Sequence, residues 1–316
     1  MRFEKLKRRV RELRPVASWP QMLALIERPL HRETSAWEYP VAACRAVGGT
    51  EEAALPAAAA VFCSVISIHL VDDMLDEDPC GEHWLSGIGE TANFALAFQA
   101  AGHLLLDDSQ VPVAIRPALQ RSFAEMSLAT CFGQSLDARE AGGEEEYWRI
   151  VERKTPPLFG EALRMGALLG GSSAETANQL ACLGRILGRS IQVGDDTTDA
   201  LESPARPDWK RRGNSLPMLY AMIAPHAERE EFLRLSLDVG NPESLAAAQK
   251  ILLRSGAISY CTLKLLEFSR QAADLLARLP LQNPEPVARL VELHRGPLRR
   301  LLEVAGVKEP AELLAL

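Results

Sequence analysis

The sequence has no surplus of basic residues. Its 316 residues include 35 Lys and Arg against 42 Asp and Glu, which gives a net charge of −7 at pH 7. A dedicated nucleic-acid-binding protein needs a basic surface that displaces counterions from phosphates, so we expect no nucleic-acid partner. Cysteines are few as well: there are six, spread along the chain without a Cys-x-x-Cys pair. This spacing does not support a zinc site and is typical of reduced, mostly buried thiols in a cytoplasmic protein.

Long apolar runs and period-two alternation are also missing. We find no run of about 18 apolar residues, which predicts that no segment spans a membrane. The basic N-terminus is not followed by the apolar stretch of a secretory signal. Without alternating segments and hairpin turns, β architecture is not expected. Linkers, low-complexity tracts and internal repeats are absent too, so we expect residues 1–316 to form a single domain.

Apolar residues instead recur at helical spacing through almost the whole chain, which predicts an all-α protein. The predicted helices cover residues 51–71, with Thr50 as the N-cap, and 84–106, 112–135, 144–170, 174–199, 214–237, 242–278 and 283–303. The segments 51–76 and 174–199 are apolar around much of their circumference. We therefore expect these two helices to be central in a single bundle.

The N-terminal segment 1–14 has an amphipathic pattern. Phe3, Leu6, Val10 and Leu13 share one face, and basic residues occupy the rest of the surface. Two interpretations fit this pattern. The segment is either a packed terminal helix with a solvated basic face or a helix that lies on an anionic membrane surface.

Two Asp-Asp-x-x-Asp clusters, residues 72–76 and 195–199, each lie at the C-terminal end of an apolar predicted helix. Positions i and i+4 of a helix share a face, so the first and last aspartates of each cluster converge. The helix dipole disfavours negative charge at a C-terminus, and carboxylates held close together disfavour each other's ionised form. Magnesium resolves this conflict, because it prefers carboxylate oxygens and completes its shell with water and phosphate.

We therefore predict a magnesium site. Its metal residues are Asp72, Asp73, Asp76, Asp195, Asp196 and Asp199. Asp72, Asp76 and Asp195 are the expected ligands, and the other three act as ligands or support them. The alternative, two solvated acidic helix ends, needs two coincidences, each expected about 0.02 times in such a chain. A calcium loop that starts at Asp76 fails, because Cys80 and Gly87 occupy its fifth and twelfth positions.

The two clusters resemble the aspartate-rich motifs of the trans-isoprenyl diphosphate synthases, the polyprenyl synthetase family. The resemblance extends over roughly residues 40–220. Arg153-Lys154-Thr155 resembles the family's Lys-Thr motif, and Gly133-Gln134-x-x-Asp137 resembles its Gly-Gln-x-x-Asp element. Gln192 corresponds to the glutamine that precedes the second acidic motif, and Ser215-Leu216-Pro217 resembles the Thr-Leu-Pro that follows it.

This resemblance implies an isoprenoid synthase fold, which is a helical bundle around a central active-site cavity and is usually homodimeric. It also implies an allylic isoprenoid diphosphate as substrate and about three magnesium ions that bridge the acidic motifs through the diphosphate. The implied catalytic residues are Asp72, Asp73, Asp76, Lys154, Asp195 and Asp196. The substrate-binding candidates are Ser67, Phe94, Phe98, Gln134, Lys154, Thr155, Gln192, Lys210 and Arg212.

Lys154 and the metal ions would neutralise the charge that develops on the leaving diphosphate. An apolar cavity would then protect the allylic cation, and aromatic faces could stabilise it. Phe94, Phe98, Phe132 and Phe159 are candidates for this role. The interpretation of each as an ordinary core residue is favoured over this role, because aromatic residues at helical spacing usually pack.

The sequence departs from the family pattern where the family binds the diphosphate of isopentenyl diphosphate, the normal acceptor. The family's Gly-Gly-Lys-x-x-Arg-Pro element, aligned on Pro40, becomes residues 34–40, which contain no basic residue. The Arg-Arg-Gly after the first acidic motif becomes Pro79-Cys80-Gly81. The family histidine falls near Ser86, and His83 is out of register. The pattern therefore predicts a donor site that is retained and an acceptor site that is lost.

We expect a prenyltransferase that acts on a non-standard acceptor. Val71, before the first motif, makes this stretch resemble the moenomycin farnesyltransferase, and the small Ser64 and Ser67 predict an open cavity floor and a donor of C15 or longer. Three alternatives stay open: a class IB terpene synthase that cyclises its substrate, an ordinary chain-elongating synthase, and a non-catalytic modulating subunit. Retention of all six motif aspartates speaks against the last, because a scaffold needs none of them.

Overall fold

The structure is a computed structural model, and it describes residues 2–28 and 36–304. No strand occurs among these residues, so the predicted all-α class is confirmed. The helices are α1 (Arg2–Arg11), α2 (Arg14–Ala17), α3 (Pro20–Glu27), α4 (Glu38–Ala46), α5 (Glu51–Leu75), α6 (His83–Ser86), α7 (Ile88–Leu106), α8 (Arg116–Asp137), α9 (Glu144–Lys154), α10 (Pro156–Leu169), α11 (Ala174–Leu201), α12 (Leu216–Ile223), α13 (Arg229–Leu235), α14 (Pro242–Arg254), α15 (Ala257–Arg278), α16 (Glu285–His294) and α17 (Gly296–Val304). Short 3₁₀ turns cover Val113–Ile115, Pro207–Lys210 and Arg212–Asn214.

Several predicted helices are divided in the structure. The predicted helix 144–170 breaks at Thr155, because Pro156 and Pro157, which follow it, donate no backbone hydrogen bond. The predicted helix 242–278 was wrong as one element. It divides at Gly256, whose φ of +89° belongs to the left-handed region that ends helices.

The chain divides into two compact units. Unit 1 comprises Met1–Cys131, Pro157–Arg185 and Leu276–Leu290, and unit 2 comprises Phe132–Pro156, Ile186–Leu275 and Val291–Leu316. The single-domain organisation expected from the sequence stays a prediction.

Helix α5 forms the centre of unit 1. It packs against α1, α4 and α7, and its side chains from Ala57 to Ser67 are all buried. The sequence predicted that no segment spans a membrane, and among the described residues one helix, α5, has the length and apolar composition of a span. An 18-residue window of α5 has a mean hydropathy of 2.1, but 78% of that window is buried inside the protein. Burial on this scale identifies α5 as a core helix.

The N-terminal helix α1 is packed onto unit 1. Leu6 and Val10 are buried, and Phe3 stacks on Trp37 with a ring-centroid distance of 5.2 Å. The basic face is paired with acidic residues: Lys5 with Glu52, Lys7 and Arg11 with Glu27, and Arg9 with Asp108. These ion pairs favour the packed terminal helix over the membrane-surface helix.

Unit 2 has its own apolar core. Tyr147, Ile150 and Val151 of α9 pack there with Val193 of α11 and with buried residues of α12 and α15. The thiol of Cys261 is part of this core. All six cysteines are free, and Cys44, Cys63 and Cys261 are buried, so half of the thiols are buried rather than most of them.

Candidate active site

The first acidic motif lies at the C-terminal end of α5. Asp72 and Asp73 lie in its last turn and Asp76 caps it, and all three side chains are half-buried. Glu77 then adopts a φ of +53°, and the N–H of Asp78 donates to the carbonyl of Asp73 at 2.9 Å. This six-to-one bond with a left-handed residue is the Schellman pattern that turns a chain sharply away from a helix end.

Residues 78–82, which follow the turn, include no Lys or Arg, but the guanidinium of Arg28 pairs with the carboxylate of Glu82. Oδ1 of Asp78 accepts from the N–H of Cys80 at 2.8 Å, and its carbonyl accepts from Nε1 of Trp84 at 2.9 Å. Cys80, which aligns with the family's Arg-Arg-Gly element, is exposed. His83 is buried, and neither of its ring nitrogens has a hydrogen-bond partner among the described residues.

The positions that align with the family's other acceptor-binding residues lie in the core of unit 1. Ala36 and Tyr39 are both buried, and the Tyr39 ring lies 4.8 Å from the ring of Phe159. Burial raises the pKa of the Tyr39 hydroxyl, and the nearby Glu38 carboxylate adds to this effect. Arg45 lines a cleft between α4 and the first part of α16. Arg32, another basic residue close in sequence to these positions, lies outside the described residues.

The predicted cavity residues differ in their surroundings. Ser67, Phe94 and Phe98 are buried, and the Phe94 ring lies 5.7 Å from the ring of Trp19. Phe159 is also buried, as an ordinary core residue would be. In contrast, Phe132 is 50% exposed and lies under the guanidinium of Arg153 at 5.6 Å.

The three aspartates of the second acidic motif differ in their exposure to solvent. Asp195 is exposed and Asp199 is half-buried, whereas Asp196 is only 3% exposed. Oδ2 of Asp196 accepts from the Tyr147 hydroxyl at 2.7 Å and from the Leu216 N–H at 3.0 Å, and Oδ1 accepts from Gln192 at 2.9 Å. Because protein donors bind both oxygens, this geometry favours support of the ligands over direct ligation.

Burial raises the pKa of Asp196 to about 7, and the hydrogen bonds from Leu216, Tyr147 and Gln192 act in the opposite direction. Burial likewise raises the pKa of Tyr147, and the charge of Asp196 strengthens the effect. A hydrogen bond to a charged group contributes roughly 1.5–3 kcal/mol. Three such donors therefore offset part of the cost of burying this carboxylate.

The Lys-Thr and Gly-Gln-x-x-Asp elements meet in unit 2. Lys154 Nζ lies 2.6 Å from Oδ2 of Asp137, and Thr155 donates to Oε1 of Gln192 at 2.5 Å. Gly133 makes the approach possible, because a Cβ there would lie 2.5 Å from the Arg153 carbonyl carbon and the Lys154 nitrogen. Gln134, the neighbour of Gly133, is buried.

The basic residues after the second motif have separate partners. Arg206 lies 3.8 Å from Asp199 and 3.5 Å from Glu202, so it contacts the motif. Arg212 donates to the carbonyl and the hydroxyl of Ser236 at 3.1 and 3.0 Å, which fixes its guanidinium to the C-terminal end of α13. Lys210 ends a 3₁₀ turn, and its side chain lies outside the described part of the structure.

Comparisons with known proteins agree with the family motifs described above. The sequence model of the polyprenyl synthetase family matches residues 40–252. The chain belongs to the polyprenyl synthetase family. It is similar to the geranylgeranyl diphosphate synthase of Methanosarcina mazei, with 28% identity over 76% of this chain and 78% of the relative. It is also similar to the nonaprenyl diphosphate synthase of Mycobacterium tuberculosis, with 28% identity over 71% of each chain.

Solved structures show the same fold. Geranylgeranyl pyrophosphate synthetase from Pyrococcus horikoshii superimposes with a TM-score of 0.81 at 20% identity and covers 95% of each chain. A polyprenyl synthase from Caulobacter crescentus, solved with calcium and isoprenyl diphosphate, has a TM-score of 0.79 at 20% identity and covers 94% of each chain. The protein is therefore a prenyltransferase-type enzyme with the helical fold of the prenyl diphosphate synthases.

The side chains of the two acidic motifs are of the type that binds magnesium. Each acidic motif offers carboxylate oxygens, the ligands that magnesium prefers. Within residues 2–28 and 36–304, no three His, Cys, Asp or Glu side chains converge as a preformed metal cage. Such a cage is not needed for magnesium, which usually takes part of its shell from water and substrate phosphate.

Sequence reasoning missed two residues of this synthetase-family site. Tyr147 bonds Asp196, and Asn214 joins the end of α8 to the segment before α12 through the Asp137 carbonyl at 2.7 Å and the Ala141 N–H at 2.8 Å. Tyr147 lies seven residues before Lys154 on one helix, and this spacing was a signal available in the sequence. Asn214 carried no comparable signal, because its partners lie more than 70 residues away.

Proposed function

We propose that this enzyme ionises an allylic prenyl diphosphate in a magnesium-dependent reaction and transfers the prenyl group to an acceptor other than isopentenyl diphosphate. One observation supports the acceptor assignment above all. Ala36 and Tyr39, where the family has basic residues, are buried, and the turn at Cys80 has no basic side chain. We place the enzyme in the cytoplasm, in agreement with six free cysteines.

The residues proposed to bind the allylic diphosphate, which is the prenyl donor, are retained. When bound, magnesium supplies Lewis-acid neutralisation of the diphosphate charge as the C–O bond breaks. Asp72, Asp76 and Asp195 would hold the ions, with Asp73, Asp196 and Asp199 as ligands or as support for them. Lys154, held by Asp137 at 2.6 Å, supplies a fixed positive charge to the same diphosphate.

The lack of basic residues at the acceptor positions explains why we expect isopentenyl diphosphate to bind weakly. A small anionic diphosphate in a partly desolvated site needs several charge-assisted hydrogen bonds, each of which contributes roughly 1.5–3 kcal/mol. The loss of two or three of them weakens binding by at least about two decades, at 1.4 kcal/mol per decade. An acceptor that carries no diphosphate, or the substrate's own chain folded back, avoids this cost.

Donor length and assembly complete the proposal. Ser67 and Ser64 are buried on α5 before the first motif, and their small size suits a donor of C15 or longer. The enzyme acts as a homodimer. Leu96 on α7 and Leu128 on α8 are 70% and 74% exposed, and the two helices are joined by a Ser127–Gln99 hydrogen bond of 2.8 Å. An exposed apolar face of this kind is typical of an interface.

The second candidate is an ordinary chain-elongating synthase, which the similarity to geranylgeranyl and nonaprenyl diphosphate synthases favours. A class IB terpene cyclase fits the missing acceptor residues as well as the leading proposal does. A non-catalytic modulating subunit fits worst, because the aspartates, Lys154 and Gln192 are retained.

One experiment distinguishes these functions. The protein is incubated with C10, C15 or C20 allylic diphosphate and magnesium, with and without isopentenyl diphosphate, and products are identified by mass spectrometry. We expect pyrophosphate release with the C15 and C20 donors and little elongation. Efficient formation of products longer by five carbons would overturn the acceptor assignment, and a cyclic hydrocarbon would establish the cyclase.

The same assay tests the metal residues. Asp72→Ala and Asp195→Ala should each lower the rate of pyrophosphate release by orders of magnitude, because the metal ions supply most of the charge stabilisation. Asp238→Ala, which removes a surface carboxylate in unit 2 between α13 and α14, is the matched control and should keep the wild-type rate. Wild-type rates in both motif variants would contradict the magnesium assignment.

A further inference from the structure

Tyr147 is a buried residue that belongs to none of the motifs, yet its hydroxyl reaches the second acidic motif. It lies on α9 two turns before Lys154, so one helix carries both side chains. Its hydroxyl donates to Oδ2 of Asp196 at 2.7 Å. The same rigid element thus connects the lysine of the Lys-Thr motif with the aspartates of α11.

The buried position of Asp196 sets the orientation of its neighbours. Successive side chains of an α-helix point about 100° apart, so a carboxylate fixed in the core fixes the rotation of the whole turn. With Asp196 turned inward, Asp195 is exposed and Asp199 is half-buried on the outer side. These are the two carboxylates of the motif that are accessible to a ligand.

Two of the three hydrogen bonds to Asp196 come from outside α11 and can therefore fix the position of this helix relative to its neighbours. Gln192 belongs to α11 itself, so its bond of 2.9 Å moves with the helix. The Leu216 N–H at 3.0 Å and the Tyr147 hydroxyl come from other helices. Tyr147 is the one of these two anchors that acts through a side chain, and a mutation can therefore remove it.

We propose that Tyr147 is a positioning residue of the active site. Its hydroxyl holds Asp196 so that Asp195 and Asp199 present their carboxylates to magnesium in register with Lys154. The inference rests on the proposed function, in which the second motif binds magnesium. Tyr147 itself takes no part in bond making or breaking.

The test compares two tyrosine hydroxyls that each bond a carboxylate, one on α9 and one on α15. Tyr147→Phe removes the bond to Asp196, and the control Tyr260→Phe removes a hydroxyl of α15 that bonds Glu144, the first residue of α9. The melting temperature of each protein is measured against magnesium chloride concentration at a fixed concentration of inorganic pyrophosphate. Each shift is read relative to the same variant without ligands, so a generally less stable variant remains informative.

For Tyr147→Phe we expect the magnesium concentration at half-maximal stabilisation to rise about tenfold, which corresponds to one charge-assisted hydrogen bond. Tyr260→Phe should stay within about twofold of wild type, and pyrophosphate release should show the same difference in magnesium dependence. Asp196→Ala combined with Tyr147→Phe should cost no more than Asp196→Ala alone, because the hydroxyl acts through that carboxylate.

An unchanged magnesium midpoint in Tyr147→Phe, with only the ligand-free melting temperature lowered, would show that the hydroxyl merely stabilises the fold and would overturn the inference. A wild-type protein that gains no stability from magnesium and pyrophosphate would instead refute the proposed metal site, and the inference with it. The two failures are distinguishable because one is seen in the wild type and the other only in the variant.

Discussion

Glu77, one residue after the first acidic motif, has the backbone conformation that glycine usually adopts. Its φ of +53° lies in the left-handed region, where a side chain costs roughly 1–2 kcal/mol. Glycine removes this strain but adds unfolded-state entropy of about 0.4–1 kcal/mol. Glu77→Gly should therefore raise the free energy of unfolding by about 0.5–1 kcal/mol, as measured by urea denaturation.

Glu77→Ala is the control for this residue, because alanine removes the carboxylate and keeps the strain. It should leave stability within about 0.5 kcal/mol of wild type. A loss of stability in Glu77→Gly would mean that the carboxylate, rather than the backbone, determines the energy of this turn.

At the scale of helices, Gly133 determines how closely α8 approaches α9. A Cβ at this position would meet the backbone of Arg153 and Lys154 at 2.5 Å, and backbone cannot move aside as a flexible side chain can. We expect Gly133→Ala to destabilise the protein by about 1–3 kcal/mol and to lower the rate of pyrophosphate release, because Lys154 is displaced.

Gly143→Ala is the matched control for Gly133. Its φ of 172° is extended backbone, and nothing lies within 4 Å of an added Cβ. Thermal melts and rate measurements on both variants check the prediction. Equal behaviour of the two would show that α8 and α9 have room to separate.

The helices also show what a sequence can predict. The break before α10 follows from two prolines, because the missing N–H groups are a local property of the chain. The helix break at Gly256 could not be predicted in the same way. A single glycine is tolerated inside helices, and its positive φ depends on the packing around it. The inward turn of Asp196 could not be predicted, because its partners Tyr147 and Leu216 lie 49 and 20 residues away.

At the scale of the whole molecule, the exposed apolar face of α7 and α8 predicts self-association. Leu96→Glu combined with Leu128→Glu places two charges on this face and should convert the proposed homodimer to monomers. Light scattering coupled to size-exclusion chromatography measures the mass directly. Leu253→Glu on α14, where the leucine is 56% exposed, is the control that should leave the assembly unchanged. A doubly substituted protein that keeps the mass of a dimer would place the interface elsewhere.

The apolar character of α5 has a consequence for biosynthesis. The ribosome releases this helix before α7, so for a time a window with a mean hydropathy of 2.1 has no later helix to cover it. Chaperones and the membrane-insertion machinery both recognise exposed segments of this kind. The yield of native enzyme in a cell then depends on how quickly the following helices are synthesised and dock, and a synonymous codon change that slows translation after residue 75 would divert nascent chains to the membrane fraction.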